Sequence, residues 1–159
     1  MPINTSSSYI EIGTGWNGSS LTGSILQLPV PVELPVSDEF LVEANRNANG
    51  SLVFQQIGRN MAKLNIKWGR LKNTIWWEIN RWFEDNGYIF YMKYFNHNTG
   101  KVIATRFYRG DFVPGTPSTS MEILNGEKVP THYFDCGFSL IDAGWGSKSS
   151  IVVKSINIG

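Results

Sequence analysis

Two histidines, a single cysteine and a few neighbouring carboxylates are the side chains best suited to chemistry in this chain. His97 stands in the polar run Asn96-His97-Asn98-Thr99-Gly100, and His132 opens an alternating apolar segment. Neither has a histidine, cysteine or carboxylate at metal-ligand spacing. Catalysis by acid–base or nucleophilic routes needs titratable groups that converge. The pair Glu84-Asp85 falls at the end of a predicted helix, where a solvated face is expected. Cys136 is alone, so it forms no intramolecular disulfide and no cysteine-based zinc site. It reads as a small apolar residue buried on a strand. Phosphate-cradling glycine loops, a Gly-x-Ser-x-Gly elbow and a His-Glu-x-x-His helix are all missing from the sequence. No catalytic, cofactor-binding or metal residue is assigned, and an enzyme is not expected. A hydrolytic activity would have to rest on scattered groups such as Asp111, Asp135 or His132. Arg109-Gly110-Asp111 spells the adhesion tripeptide, but its physical reading is a strand-end turn in which Asp111 bonds local backbone.

Composition points the same way. A length of 159 residues suits one domain. The net charge of +1 gives no bulk attraction to nucleic acid or to an acidic membrane. Met1-Pro2-Ile3-Asn4-Thr5-Ser6 has neither a basic start nor an apolar core, so no signal peptide is read. No apolar run approaches the roughly 20 residues that span a bilayer. A soluble protein made in a cytoplasm, with no membrane insertion and no cofactor, is the expectation.

Residues 1–24 are rich in Ser, Gly and Thr and are read as a flexible arm, or as a weak strand followed by a loop, with a short apolar patch at Tyr9-Ile10-Glu11-Ile12. Trp16 in that arm either anchors a partner or folds back on the chain's own core. Prolines at 29, 31 and 35 restrict residues 25–36 to an edge strand or an extended polyproline-like segment. Short strands are expected at 40–44 and 52–55, with a polar loop at 45–50 between them. In residues 62–68, Ala62, Leu64, Ile66 and Trp68 alternate with Lys63, Asn65 and Lys67, giving a half-buried strand. Its lysines line a solvated outer face.

Asn73 or Thr74 supplies an N-cap oxygen for a helix over about residues 74–86. Ile75, Ile79, Trp82 and Phe83 recur on one stripe with Trp76 beside them, and Gly87 ends the helix. Trp77 lies off the stripe and faces a second surface. Residues 88–95 read as a strand buried on both faces or at a subunit contact. The turn at 96–100 leads to an antiparallel return over 101–108, and Pro114 and Pro117 mark a loop. Asn125-Gly126 is a hairpin turn. In residues 132–141, Phe134, Cys136, Phe138 and Leu140 form the core side. Glycines around Trp145 lead to a detachable strand over 151–156. The division is a 1–24 arm, a 25–143 β-rich domain and a 144–159 linker and strand extension. The class is α+β, mainly β: an antiparallel sandwich or barrel with one flanking helix.

Several short strings together resemble a group of small tail proteins of tailed bacteriophages. They are Val32-Glu33-Leu34-Pro35-Val36, Asn49-Gly50, the alternating strand from Lys63 to Trp68, the helix, and Asn98-Thr99-Gly100-Lys101. Phe107-Tyr108-Arg109-Gly110-Asp111 and Tyr133-Phe134-Asp135-Cys136-Gly137-Phe138-Ser139-Leu140-Ile141 complete the set. The resemblance covers roughly residues 32–142. It implies a tail-tube-like domain in the tail tube, or in the baseplate or distal tail hub, of a virion. Such domains assemble as rings, often hexameric, beside other tail proteins and around a channel that passes DNA without sequence-specific binding. The expected inter-subunit contacts are Tyr9, Ile10, Trp16, Trp77, Trp145, Ile151 and Val153. The alternative reading is a carbohydrate- or receptor-binding module of a phage particle.

Overall fold

The computed structural model describes residues 10–29, 31, 36–39, 42–46, 52–56, 61–147 and 149–159. In chain order the elements are β1 (Ile10–Trp16), β2 (Leu21–Leu28), β3 (Val36–Glu39), β4 (Val42–Arg46), β5 (Leu52–Gln56), β6 (Met61–Lys72) and helix α1 (Asn73–Asn86). There follow β7 (Ile89–Asn96), β8 (Lys101–Val113), β9 (Thr116–Pro117), β10 (Met121–Leu124), β11 (Glu127–Pro130), β12 (His132–Asp142) and β13 (Val152–Ser155). The main antiparallel sheet runs β2-β1-β7-β8-β12-β6-β3, with β13 added to β8 and β9 to β12. Two separate ribbons, β4–β5 and β10–β11, complete the strands among the described residues. The chain is therefore mainly antiparallel β with one described helix.

The sheet path ends at β2 and β3 and does not close into a barrel. Strand β6, next to that β3 end, is nevertheless tied to the β2 side. The indole Nε1–H of Trp68 on β6 donates to the Pro29 carbonyl just after β2, at 3.0 Å. Helix α1 sits inside this curl and touches β2, β6 and β12. Trp76, Ile79, Trp82 and Phe83 are buried on its inner stripe, and Ile75 lies at the margin. They meet Phe90, Met92, Phe107, Phe138 and Leu140 from the sheet. Burying each such side chain contributes about 1.5–3 kcal/mol. The rings meet largely edge to face: Trp68–Phe138 at 5.5 Å, Phe83–Phe138 at 5.3 Å and Trp82–Phe90 at 5.9 Å.

The helix stops where expected. Gly87 has φ 89°, and its N–H reaches the Phe83 carbonyl at 2.8 Å. Its start differs from expectation. Asn73 does not cap the second or third helical N–H; its Oδ1 accepts from the adjacent Thr74 N–H. The rest of the side chain is fully buried, and Nδ2 donates to Glu122 Oε1 and to the Pro130 carbonyl, both at 2.7 Å. Asn73 thus ties the helix start to the β10–β11 ribbon.

Residues 10–24 are not a free arm. β1 pairs with both β2 and β7, and Ile10 and Ile12 are buried in the core. Asn17 closes the β1–β2 turn by accepting from the N–H groups of Ser19 and Ser20. The segment 25–36 divides: residues 25–28 belong to β2 and Val36 opens β3. Residues 1–9 with Tyr9, the string 32–35 and most of the expected loop at 45–50 lie outside the described residues. Strand β7 buries one face only, through Phe90, Met92, Tyr94 and Asn96. Strand β8 runs five residues beyond the expected return at 108. The turns at Gly100 (φ 68°) and at Asn125 and Gly126 (φ 51° and 84°) form as read.

Candidate functional site

The far half of β8 holds the most unusual arrangement of side chains in the described chain. Phe138 pairs with Phe112, but Leu140 pairs with Arg109, so β8 carries one residue more than β12 across this step. This is a β-bulge, and it exchanges the faces of the residues beyond it. Before the bulge, Phe107 and Arg109 point to the helix side. After it, Phe112 takes that side while Asp111 and Val113 turn to the opposite face. Gly110 sits at the crossover, where an added Cβ would come 2.8 Å from Ile141 Cδ1.

On the helix side, the Arg109 guanidinium lies among four rings. Its central carbon is 4.5 Å from the Tyr88 ring, 4.7 Å from Phe112, 4.9 Å from Phe83 and 5.8 Å from Phe138. Arg109 Nη1 also reaches Asn80 Oδ1 at 3.4 Å. Burial lowers its pKa, and Tyr88 acts in the opposite sense. The cation–π contacts hold the charge in this partly desolvated place. Phe112 is itself stacked on Trp76, 5.6 Å away and nearly parallel.

On the opposite face lies an open cavity of about 530 Å³. Asn65, Lys67, Asp111, Asp135 and Ser139 supply its polar walls, and Ile66, Val113, Gly137 and Phe138 the rest. Ser139 Oγ donates to Asn65 Oδ1 at 3.2 Å. Lys67 Nζ lies 3.8 Å from Asp135 Oδ1, with both side chains well exposed. Asp135 has φ 56°, a left-handed conformation that Asp tolerates better than most residues. The Arg109-Gly110-Asp111 string therefore is not a strand-end turn. It crosses the bulge, with Arg109 caged on one face of the sheet and Asp111 on the other. It is not presented as one continuous recognition loop.

The other singled-out groups lie apart. His132 Nδ1 is 3.0 Å from Thr131 Oγ1 and 3.5 Å from Arg70 Nη2. Desolvation, then the charges of Arg70 and Lys72, hold its pKa below the usual range, with Glu122 opposing. Cys136 is fully buried, and desolvation pushes its thiol up to about 11. Among the described residues, no three His, Cys, Asp or Glu side chains gather as a metal site would need.

The expected inter-subunit residues separate into three groups. Ile10 and Ile151 are buried in the chain's own core at 1% and 8% exposure, which removes them from the surface. Trp77 is partly buried; it packs on Tyr133 and donates from Nε1 to its hydroxyl at 3.2 Å. Trp145 is partly buried against Tyr91, at 5.5 Å. Trp16 is half-buried beside Leu21, and Val153 is exposed. Strand β13 pairs with the chain's own β8. Sequence reasoning missed Phe112, Tyr88 and Arg109 as a cluster. Their one signal is Gly110 inside a long strand pattern, which is a known mark of a bulge.

Neither a family model nor a curated protein matches this chain. No described helix is long and apolar enough to cross a membrane.

Proposed function

We propose that this chain is a structural subunit of a tailed-bacteriophage virion. In this reading it forms part of the tail tube, or of the baseplate or distal tail hub, by ring-like self-assembly. The fold would then be a tail-tube-like domain, made in the host bacterial cytoplasm and carried in the tail. Its partners would be copies of itself, six in the expected ring, and neighbouring tail proteins, with DNA passing through without sequence-specific contact.

One observation carries the reading: the far end of β8 exposes apolar side chains on both faces. Tyr88 and Phe112 stand on the helix side, at 48% and 41% exposure. Ile89, Tyr108 and Val113 stand on the other, at 57%, 40% and 52%. Exposed apolar side chains gathered at one end of a strand favour an interaction site. The resemblance over residues 32–142 supplies the setting. Negative-stain electron microscopy of the purified protein, with its mass by light scattering, tests the proposal. A closed ring, or incorporation only alongside other tail proteins, is expected; a stable monomer with no such incorporation overturns it.

The cavity bounded by Asn65, Asp111, Asp135 and Ser139 favours a second reading, a carbohydrate- or receptor-binding module. Its amide, hydroxyl and carboxylates suit a polyhydroxylated ligand over a partly apolar floor. Binding on a glycan array that is lost in Asp111→Ala would favour this reading; no binding would discard it.

A further inference from the structure

Among the described residues, strand β8 has an unpaired edge at one end, and an exposed apolar segment lies near the other. β7 leaves β8 at the Ile89–Tyr108 pair, and the Arg109 N–H still reaches the Tyr88 carbonyl. Beyond that point β12 holds one edge of residues 110–113. No strand of the described residues holds the other. An open strand edge flanked by exposed apolar side chains is a template for one more strand. At the opposite end β13 pairs beside Lys101, Val102 and Ile103. The chain then runs on through residues 156–159, where Ile158 is 94% exposed and Ile156 48% exposed. These two isoleucines are spaced to fall on one face of a strand.

The two features match in length, at four residues each, but cannot meet within one molecule. Ile156 is held at the β7–β8 turn, where its N–H donates to the Gly100 carbonyl at 3.0 Å. From residue 101 to residue 110, β8 extends roughly 30 Å at the usual rise of a strand. Four extended residues reach about 14 Å at most. The edge therefore lies beyond the segment's own reach. A second copy placed head to tail has no such limit.

We infer that residues 156–159 of one copy add as a short strand to the open edge of residues 110–113 of the next, with Ile158 seated among the exposed apolar side chains there. Such a contact is heterologous: each copy donates at one end and accepts at the other, and repetition closes a ring or extends a fibre. The inference rests on the self-assembly reading above, and names the surfaces that reading leaves open.

The test compares the full chain with Ile158→Asp and with a double variant, Val113→Cys with Ile158→Cys. Ile158 and Val113 are exposed at 94% and 52%, so these changes spare the fold, which far-ultraviolet circular dichroism checks. Cys136 is buried with a raised pKa, so oxidative cross-linking reports the new thiols alone. Ile158→Asp is expected to raise the concentration for half-assembly roughly tenfold or more. The double variant is expected to give covalent multimers that neither single variant gives. Unchanged assembly of Ile158→Asp, with no extra cross-linking of the double variant, overturns this contact and leaves the ring reading standing. A full chain still monomeric at roughly 100 µM, alone and with other tail proteins, overturns both.

Discussion

Asp135 is one of two described non-glycine residues held at positive φ, the other being the hairpin residue Asn125. Its ion pair with Lys67 joins two exposed groups, and such pairs contribute less than about 1 kcal/mol. Backbone conformation is therefore the larger constraint. Asp135→Val is expected to lower stability by about 1–2 kcal/mol in urea titrations, while Asp135→Asn changes it little. Two residues on, Gly137 faces a closer limit: a Cβ there would come 2.1 Å from the Ile66 carbonyl oxygen, a backbone atom that cannot turn aside. Gly137→Ala should cost about 3 kcal/mol and separate β12 from β6 locally, which hydrogen exchange would detect. Between them, Cys136 sets a pH dependence. Its folded pKa, about 11, lies above the ordinary thiol value, so above about pH 9 the unfolded chain binds fewer protons than the folded one. Thiol-linked stability is thus fully present below pH 9 and declines as pH rises towards 11. Melts of the wild type and Cys136→Ala across that window should show a flatter profile for the variant.

Among the elements, those with a local signature were legible in the chain. Helix α1 announced itself through the spacing of Trp76, Ile79, Trp82 and Phe83 and through Gly87. The β10–β11 turn did so through Asn125-Gly126. Gly126→Ala, at φ 84°, should weaken that ribbon by about 1 kcal/mol without touching the main sheet. The β1–β2 hairpin was obscured by its Ser, Gly and Thr content, although Asn17-Gly18 is the same turn dipeptide. The β8 bulge was illegible for a different reason. Adding one residue to a ladder reverses the face of all that follows, and only the partner strand β12, far along the chain, reveals it. Asn73 was half legible. Its polarity suggested a cap, but its burial depends on Glu122 and Pro130, far along the chain. Asn73→Ala is expected to lose about 2–4 kcal/mol, more than a lost cap alone, because the Glu122 carboxylate and the Pro130 carbonyl lose their partner. A urea series measured beside Glu122→Gln would show the coupling.

At the scale of the molecule, a hydrogen bond from Trp68 on β6 to the Pro29 carbonyl after β2 links the two sides of the sheet. Trp68→Phe keeps an aromatic ring in the core but leaves the carbonyl unpaired, and a loss of about 1–3 kcal/mol is expected in thermal or urea unfolding. The strand order has a consequence for how the chain is made. β1 finds its inner neighbour β7 only through pairs such as Ile10 with Tyr94. At about 5–20 residues per second a ribosome needs roughly 4–17 s to cover that interval. Meanwhile the early hairpin holds Ile10, Ile12, Leu26 and Leu28 without a sheet to cover them. Synthesis thus opens a timed window of stickiness at the start of the chain, which closes when β7 emerges and docks.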